Sequence, residues 1–462
     1  MSAATSVQGS ERDHDLIVIG SGSAAFAAAI RARDLGRDVL LIERETIGGT
    51  CVNIGCVPSK SLLADATRYL ASGVPTLAQA SDRKSRLVET LRRHKYSDLF
   101  AEYGIGLREG VAELAGPHAV RVGGEELSAE AILLATGATP SVPPIEGIAE
   151  AGHLVSTSAL ELTEAPPRLA VIGANAVGLE LGQALGSFGS RVTFIELERV
   201  APFEEPEVSE AIRGILADSG HDVIEGARTE RVSVEGGEKV LRGTADGESF
   251  ELRVDEILVA TSRRPNSDGL ALEAIGVETD GRGAIVVDPE QRTSVPSIFA
   301  AGDVTDQPQF VYVAAAGGAA AAENAFGEGG RRLDFNSLPR IIFTSPQIAG
   351  AGLTEAGAVE AGFEVETRVL PLEAIPRALV NGDTRGLFKL VAEAGTGRLL
   401  GTSAIADGAG EVISSAVLAI ERGMTVDELA SAWAPYLTMA EGLKLAAQTF
   451  TRDVAKLSCC AA

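Results

Sequence analysis

Apolar and polar positions near the start of the chain follow the order expected for a strand, a turn, a helix and a second strand. The apolar run 15–19 leads into the small residues 20–25, and apolar positions over 26–35 repeat with a helical period. A second apolar run, 39–43, ends on Glu43. Apolar runs of this length bounded by glycine are typical of buried strands, so the pattern predicts an α/β unit.

The same arrangement occurs again about 150 residues later, which indicates an internal repeat. The second copy has its strand at 169–172, its turn at 173–178, a helix that ends at 188 and another strand at 192–196. Glu43 lies 23 positions after Gly20, and Glu196 lies 23 positions after Gly173. Two copies with matched spacing are far more specific than one glycine motif, so we predict two similar nucleotide-binding domains.

The residue types in these turns suit dinucleotide binding. Small residues let the backbone approach a pyrophosphate closely, and the helix N-terminus offers N–H groups to its charge. A carboxylate at the end of the second strand accepts hydrogen bonds from ribose hydroxyls. The candidate residues are Gly20, Gly22, Ala25 and Glu43 in the first copy and Gly173, Asn175, Gly178 and Glu196 in the second. Asn175 replaces a glycine, and the simpler alternative is that both turns only connect strand to helix.

Three further apolar runs end in small residues and complete the pattern. They are 131–135 before Thr136 and Gly137, 256–260 before Thr261 and Ser262, and 297–301 before Gly302 and Asp303. The first two runs occur once in each repeat and would close its nucleotide-binding unit. We expect Asp303 at the carboxyl edge of a parallel sheet, where such sheets bind ligands, or alternatively as a helix N-cap.

Composition and charge exclude several classes of function. The chain has 462 residues and a net charge of 40 − 64 = −24, which repels nucleic-acid phosphates and anionic lipid alike. The most apolar stretch, 311–322, is shorter than the roughly 20 residues of a membrane span. The first 15 residues lack the apolar core of a secretory signal, so we expect a cytoplasmic protein.

Two of the four cysteines follow the first acidic strand end. Cys51 and Cys56 lie in the sequence GGTCVNIGCVPSK, which spans 48–60. Five positions at the start of a helix allow the two sulfurs to meet, and a helix N-terminus stabilises a thiolate. We therefore interpret them as a redox pair, with ordinary buried thiols as the alternative.

This cysteine segment, the two glycine turns and the AGDV sequence at 301–304 resemble the pyridine nucleotide-disulfide oxidoreductases. The resemblance implies FAD on the first unit, NADH or NADPH on the second, and a homodimer whose interface domain completes the partner's site. It also implies that Cys56 faces the flavin, that Cys51 exchanges with substrate, and that Lys60 lies near the flavin and pairs with Glu180. The other residues expected in the cofactor sites are Gly49, Thr50, Lys60, Thr136, Gly137 and Asp303.

The pattern of apolar positions changes after residue 338, and no glycine turn of the kind seen in the two repeats occurs there. Alternating runs at 340–343, 364–370 and 386–391 precede helical patterns at 411–422 and 426–432. The fold class expected is therefore α/β, with two Rossmann-like dinucleotide-binding domains and a C-terminal α/β interface domain. The expected bounds are 1–155 for the FAD domain, 156–275 for the NAD(P) domain, 276–337 for a return to the FAD domain and 338–462 for the interface domain.

A missing histidine separates this chain from the disulfide-reducing members that it resembles. Those members place a catalytic histidine five positions before a glutamate, because a base must move protons between two thiols. Here Tyr436 stands five positions before Glu441, and the last of the five histidines is His221. Disulfide exchange of the usual kind is therefore not expected.

The tail supplies a different pair of sulfurs. Cys459 and Cys460 are adjacent, and thiolates select soft metal ions over hard ones. The sequences PYLTMAEGLKLAAQTF and LSCCAA, together with 310–316, resemble the branch of the family that reduces mercuric ion. That resemblance implies Hg(II) as substrate, with Cys51, Cys56, Cys459 and Cys460 as its ligands. Tyr436 and Tyr312 would border the inner site. Because about 14 residues precede the first strand, we expect the tail alone to deliver the metal.

Two questions stay open at this stage. Glu196 favours a free ribose 2′-hydroxyl and hence NADH, although Arg191 and Arg199 lie near enough in sequence to serve NADPH. Ala176 and Ser262 also depart from the pattern of the resembled branch. The alternative functions are a dihydrolipoamide dehydrogenase-like disulfide reductase and a flavoprotein that sequesters soft metals without turnover.

Overall fold

A computed structural model describes residues 12–68 and 76–453 of the chain. These residues form two compact units. The described part of the first unit comprises 12–58, 83–141 and 263–333, and that of the second comprises 59–68, 76–82, 142–262 and 334–453.

The strands in chain order are β1 His14–Ile19, β2 Val39–Glu43, β3 Gly106–Glu109, β4 Ala112–Gly116, β5 Ala119–Val122, β6 Glu125–Leu134, β7 Ala138–Ser141, β8 Arg168–Ile172, β9 Arg191–Ile195, β10 Asp222–Ile224, β11 Ala227–Glu235, β12 Glu238–Ala245, β13 Glu248–Val254, β14 Glu256–Val259, β15 Ser262–Pro265, β16 Ile298–Ala300, β17 Pro339–Ile342, β18 Gln347–Gly352, β19 Val365–Pro371, β20 Leu387–Glu393 and β21 Leu399–Ala406.

The α-helices are α1 Ser23–Asp34, α2 Gly49–Ile54, α3 Cys56–Arg68, α4 Leu77–Arg92, α5 Asp98–Tyr103, α6 Ile148–Ala151, α7 Ser156–Ala159, α8 Ala176–Ser187, α9 Pro206–Asp218, α10 Leu272–Ile275, α11 Val311–Phe326, α12 Glu355–Glu360, α13 Pro376–Asn381, α14 Ala409–Glu421, α15 Val426–Ser431 and α16 Glu441–Gln448. A π-helix at Arg93–Ser97 joins α4 to α5, and a 3₁₀ turn occupies Leu372–Ala374.

The first unit is built on a mixed sheet in the order β3-β2-β1-β6-β5-β4, with β16 beside β6. Its parallel centre places Val18 of β1 opposite Leu41 of β2 and Leu133 of β6. All three side chains are fully buried. Helices cover such a parallel sheet on both faces, which explains why its strands are continuous apolar runs rather than alternating ones. The long helices α1 and α11 pack together closely, because Gly318 brings the α11 backbone against the carbonyl of Ala24.

The second unit repeats the parallel pattern and adds two antiparallel sheets. Its parallel sheet has the order β10-β9-β8-β14. In this sheet β8 lies between β9 and β14, as β1 lies between β2 and β6 in the first unit. A three-stranded meander, β11-β12-β13, follows within the same segment. The residues after 338 form a five-stranded antiparallel sheet in the order β17-β18-β21-β20-β19, with α14 packed on it. The predicted α/β class, the repeat and the mixed C-terminal region are confirmed.

Within residues 12–68 and 76–453, no helix has both the length and the apolar character needed to cross a membrane.

Candidate active site

The first glycine turn forms a narrow cradle between β1 and α1. Gly20 has a left-handed backbone (φ +112°), and a Cβ there would lie 2.3 Å from the carbonyl oxygen of Ala135. A Cβ at Gly49 would lie 2.6 Å from the Cα of Gly22, so two backbones meet without side chains. Ala25 is fully buried in the following helix. A cradle that side chains would fill fits the pyrophosphate of a dinucleotide such as FAD.

The acidic residue of each repeat ties its strand end to the glycine turn. In the first copy, the Glu43 carboxylate accepts hydrogen bonds from the Ser21 hydroxyl (2.6 Å) and the Glu45 N–H (2.8 Å). In the second copy, the Glu196 carboxylate accepts from the N–H groups of Ala174 (2.6 Å) and Leu197 (2.8 Å). Both carboxylates are thereby held at the carboxyl end of a parallel strand, where ribose hydroxyls are bound in such folds.

The second glycine turn has the same geometry, and it explains how Asn175 is tolerated. Gly173 is left-handed (φ +99°), and a Cβ at Gly178 would lie 1.9 Å from the Gly173 carbonyl oxygen. Asn175, in contrast, is extended (φ −109°), so its position does not require the positive φ that glycine supplies. Gly22 in the first copy has a negative φ as well (−81°).

The two arginines near Glu196 in sequence, Arg191 and Arg199, pair with groups other than Glu196. Arg199 donates from Nε to the Ser209 hydroxyl (3.0 Å) and from Nη2 to the Glu204 carbonyl (2.6 Å). Arg191 begins β9 and pairs with Asp222 at 3.1 Å, whereas Glu196 follows the other end of that strand.

The end of β6 and the segment after β16 supply further polar groups in the first unit. The Thr136 hydroxyl donates to the Asn266 carbonyl (2.7 Å), and the Asn266 N–H donates to the Gly137 carbonyl (2.9 Å). Asp303 pairs with Arg263 at 3.3 Å. Burial raises the pKa of Asp303, and the charge of Arg263 opposes this.

Two details of the region around Asp303 and Arg263 fit a polar ligand. The Nε atom of Arg263 is buried and has no hydrogen-bond partner among the described residues. The alternative role of Asp303 as a helix N-cap does not apply to the next α-helix, because α11 begins at Val311 and is capped by Phe310. A carboxylate that pairs with Arg263 and does not cap this helix fits the hydroxyl groups of a polar cofactor.

The cysteine pair spans two helices rather than one. Cys51 lies within α2, and Cys56 is the first residue of α3. Gly55 separates the helices, and a Cβ there would lie 2.8 Å from the carbonyl oxygen of Thr50. Both cysteines are partly exposed. Cys56 thus stands at the N-terminus of a 13-residue helix, where the aligned N–H groups favour a thiolate.

Tyr96 lies near the cysteine segment, and the sequence analysis did not name it. Its ring packs edge-on against Phe26, with ring centroids 4.9 Å apart. Burial raises the pKa of its hydroxyl, a hydrogen bond with Ser23 opposes this, and charge on Cys51 and Cys56 raises it further. The phenol is therefore within electrostatic reach of both sulfurs. No spacing rule points to it, because Tyr96 lies in the π-helix that interrupts a polar helical segment.

Lys60 and Glu180 form the ion pair that the resemblance implied. The Lys60 Nζ donates to Glu180 Oε2 at 2.6 Å, and the Glu180 side chain is only 6% exposed. The second carboxylate oxygen, Oε1, accepts the N–H of Phe343 at 3.0 Å.

The remaining predicted residues lie in the C-terminal half of the chain. Tyr436 is exposed, and the buried Glu441 carboxylate accepts the N–H of the next residue, Leu437, at 3.3 Å. Tyr312 stacks on Phe310, with ring centroids 5.3 Å apart. The pair at 459 and 460 lies outside the described residues.

Comparisons with known proteins agree with this geometry. Residues 14–318 match the family model described as pyridine nucleotide-disulphide oxidoreductase, and residues 338–447 match the dimerisation domain of that family. Mercuric reductase from Streptomyces lividans is 49% identical over 97% of this chain and 98% of its own length. Mercuric reductase from Staphylococcus aureus is 46% identical over 97% of this chain and 84% of its own length.

A solved structure shares the fold across nearly the whole chain. The HOCl-induced flavoprotein disulfide reductase RclA from Escherichia coli, solved as a Cu(II) complex, is 32% identical and superposes with a TM-score of 0.86. The match covers 96% of this chain and all of RclA. Together with the glycine turns and the cysteine segment, these matches establish that the chain belongs to the pyridine nucleotide-disulphide oxidoreductase family.

Proposed function

We propose that this protein reduces thiol-bound Hg(II) to Hg(0) with NAD(P)H. The balanced reaction is NAD(P)H + Hg(SR)₂ + H⁺ → NAD(P)⁺ + Hg(0) + 2 RSH. One hydride supplies both electrons, and each released thiolate ends as a thiol. Relatives named mercuric reductase at 46% and 49% identity support this assignment.

The observation that carries the proposal is the hydrogen bond that the Glu441 carboxylate makes. In a disulfide reductase the corresponding carboxylate would orient a histidine base. Here the carboxylate accepts the backbone N–H of Leu437, and Tyr436 stands at the position of that histidine. A phenol is a poor base near neutral pH. The cysteine pair remains, but the proton shuttle for thiol exchange does not, which favours a metal ion as electron acceptor.

FAD, when bound, supplies a two-electron carrier between the nicotinamide and the cysteine pair. We assign it to the first glycine turn, with Glu43 and Asp303 as hydroxyl acceptors. The nicotinamide dinucleotide is assigned to the second turn, with Glu196 in the same role. We also propose the domain bounds predicted from sequence, with FAD over 1–155 and 276–337, NAD(P) over 156–275 and the interface domain over 338–462.

The sulfurs bind the substrate in two successive stages. Cys459 and Cys460 of one subunit collect Hg(II) from small thiols and pass it by ligand exchange to Cys51 and Cys56 of the other. Linear two-sulfur coordination satisfies this soft ion, so each transfer exchanges one thiolate at a time. Cys56 faces the flavin in this scheme.

Three phenols border the inner site in this proposal. Tyr96 remains protonated because its pKa is raised by burial, so that it can donate a hydrogen bond to a thiolate or another ligand. Tyr436 and, less directly, Tyr312 narrow the site without competing as strong bases.

We infer a homodimer and a cytoplasmic location. The match to a dimerisation domain at 338–447 supports the first. NAD(P)H and reduced thiols are both cytoplasmic, and the cysteines need a compartment that keeps them reduced.

NADH is the preferred reductant in this proposal. Glu196 holds a negative charge just after β9, which would disfavour a 2′-phosphate, and Arg191 and Arg199 are engaged with other groups.

The purified flavoprotein should oxidise NAD(P)H only when Hg(II) and excess thiol are both present, and mercury vapour should evolve in proportion. Lipoamide in place of Hg(II) tests the disulfide-reductase alternative. Metal binding without NAD(P)H consumption would instead favour sequestration.

The Cys459→Ala/Cys460→Ala variant tests the delivery step. It should turn over thiol-complexed Hg(II) much more slowly while its flavin is still reduced normally by NAD(P)H. Unchanged turnover would disprove the relay but leave the reduction itself standing.

A further inference from the structure

An aromatic ring lies against the Lys60 ammonium, and no function described above uses it. The Lys60 Nζ is 4.6 Å from the centroid of the Phe343 ring. A cation at this distance over an aromatic face is attracted by the negative charge of the π system. Phe343 follows β17, far from Lys60 in sequence, so the contact is a product of the fold.

The same phenylalanine also contacts the partner of Lys60. Glu180 accepts the Lys60 ammonium on Oε2 at 2.6 Å and the Phe343 N–H on Oε1 at 3.0 Å. The two oxygens of one buried carboxylate thus fix the ammonium and the phenylalanine relative to each other. The Phe343 ring contacts the ammonium, the ammonium contacts the carboxylate, and the carboxylate accepts the Phe343 backbone N–H, so the three residues contact one another in a closed set.

One turn further along α8, a second side chain holds the same segment. Gln183 Oε1 accepts the N–H of Ser345 at 2.8 Å, and its amide donates to the Ser345 carbonyl at 3.4 Å. Residues three apart share one face of a helix, so Glu180 and Gln183 bind the backbone of 343–345 together. The ring therefore stands on a backbone that is fixed at two points.

We propose that Phe343 is a positioning residue for Lys60 and that its ring restrains the ammonium through a second contact in addition to the ion pair with Glu180. A lysine side chain has four rotatable carbon–carbon bonds and pivots easily about a single ion pair. Contact with the ring restricts rotation of the lysine side chain. A reaction that depends on the position of a charge becomes slower when that charge is free to move. The inference rests on the proposed function, in which Lys60 lies beside the flavin.

A spectroscopic experiment on the protein tests the contact without any assay of turnover. The chain has only seven lysines, so reductive methylation with ¹³C-formaldehyde gives few NMR signals, and Lys60→Arg identifies the one from Lys60. The wild type and Phe343→Tyr should show a Lys60 signal displaced upfield by the ring. In Phe343→Leu that signal should move to the position of an ordinary exposed lysine.

A kinetic experiment tests the consequence. Reduction of the bound flavin by NADH, followed by stopped flow without mercury, should have a limiting rate about three- to tenfold lower in Phe343→Leu, with the Kd for NADH unchanged. Phe343→Tyr should restore the rate. Replacing Phe343 with mono-, di- and trifluorinated phenylalanines keeps the shape of the ring and weakens its negative face, so the rate should fall stepwise along the series.

The results separate the possible failures. A flat rate across the fluorinated series would overturn the proposal, as would a wild-type rate in Phe343→Leu. If Phe343→Leu does not fold, the fluorinated series, which preserves packing, decides alone. Because flavin reduction is measured without Hg(II), a wild type that fails to reduce mercury would refute the proposed function and leave this result unaffected.

Discussion

In the proposed function, Glu196 sets which nicotinamide dinucleotide the second glycine turn accepts. Two backbone N–H groups, from Ala174 and Leu197, hold its carboxylate in place, and a fixed negative charge disfavours a 2′-phosphate. The neighbouring Glu198 is exposed and adds to the acidic character of this strand end.

Replacing Glu196 with Gln should shift the cofactor preference toward NADPH. The change keeps the shape of the side chain but removes the negative charge that strengthens the hydrogen bonds accepted from ribose hydroxyls. The kcat/KM for NADH should therefore fall by about tenfold, while that for NADPH rises. Steady-state kinetics with both cofactors measures the ratio. The matched control is Glu198→Gln, which removes an exposed charge two positions away and should leave the ratio nearly unchanged. A wild type that strongly prefers NADPH would contradict this reading of Glu196.

At the scale of elements, a buried lysine joins strand β20 to two helices of the second unit. Lys389 is 1% exposed, and its ammonium contacts Glu205 (3.0 Å), Glu207 (2.9 Å) and Glu355 (2.7 Å). Burial lowers the pKa of Lys389, but hydrogen bonds to the three carboxylates outweigh this and raise it overall. The three carboxylates therefore favour the charged form of this lysine in the folded protein.

Lys389→Met should destabilise the protein by about 3 kcal/mol, because it leaves the buried Glu205 carboxylate without its cation. Urea unfolding monitored by circular dichroism measures the loss. The double variant Lys389→Met/Glu205→Gln removes the stranded charge and should recover part of the stability. A single variant as stable as the wild type would show that the cluster contributes no net stability.

The meander β11-β12-β13 carries an exposed network of charges. Glu235 contacts Arg242 at 2.8 Å and Arg253 at 3.0 Å. Hydrogen bonds from Arg242, Ser233 and Arg253 lower the pKa of Glu235 to about 2.

A carboxylate with a lowered pKa stabilises the folded state at pH values above its unfolded pKa, and this contribution is lost as the carboxylate is protonated. The contribution of Glu235 should therefore be complete above 4.5, the ordinary value for glutamate, and disappear as pH falls toward about 2. Glu235→Gln should flatten the pH dependence of the unfolding midpoint in that window. Because the network is exposed, added salt should shrink the difference between wild type and variant. Equal pH slopes for the two proteins would show that the network does not stabilise the fold.

Elements with a strong local signal were predictable from sequence, and those set by long-range contacts were not. The repeat was predictable because Gly20 and Gly173 require positive φ, and each is followed by an acidic residue at a fixed distance. The position of Tyr96 depends on a π-turn and on packing against Phe26, which no periodicity encodes. The Phe343 contact joins residues nearly three hundred positions apart, so only the fold reveals it.

For the whole molecule, the proposed relay requires two subunits, and mixed dimers test it. One subunit would carry Cys56→Ser, and the other Cys459→Ala/Cys460→Ala. Co-expression should recover part of the Hg(II) turnover that each variant lacks alone, because one site of the mixed dimer then has an intact cysteine pair and the partner's tail. If the tail serves its own subunit, the mixed dimers should stay as slow as the separate variants.

The carboxylate of Glu441 has an evolutionary consequence. It is already buried five positions after Tyr436, where a histidine would need an orienting acid, and it accepts the N–H of Leu437. A tyrosine codon becomes a histidine codon through one nucleotide change. A histidine base is therefore a single point mutation away, which makes Tyr436→His the natural starting point for selecting thiol-exchange activity in this scaffold.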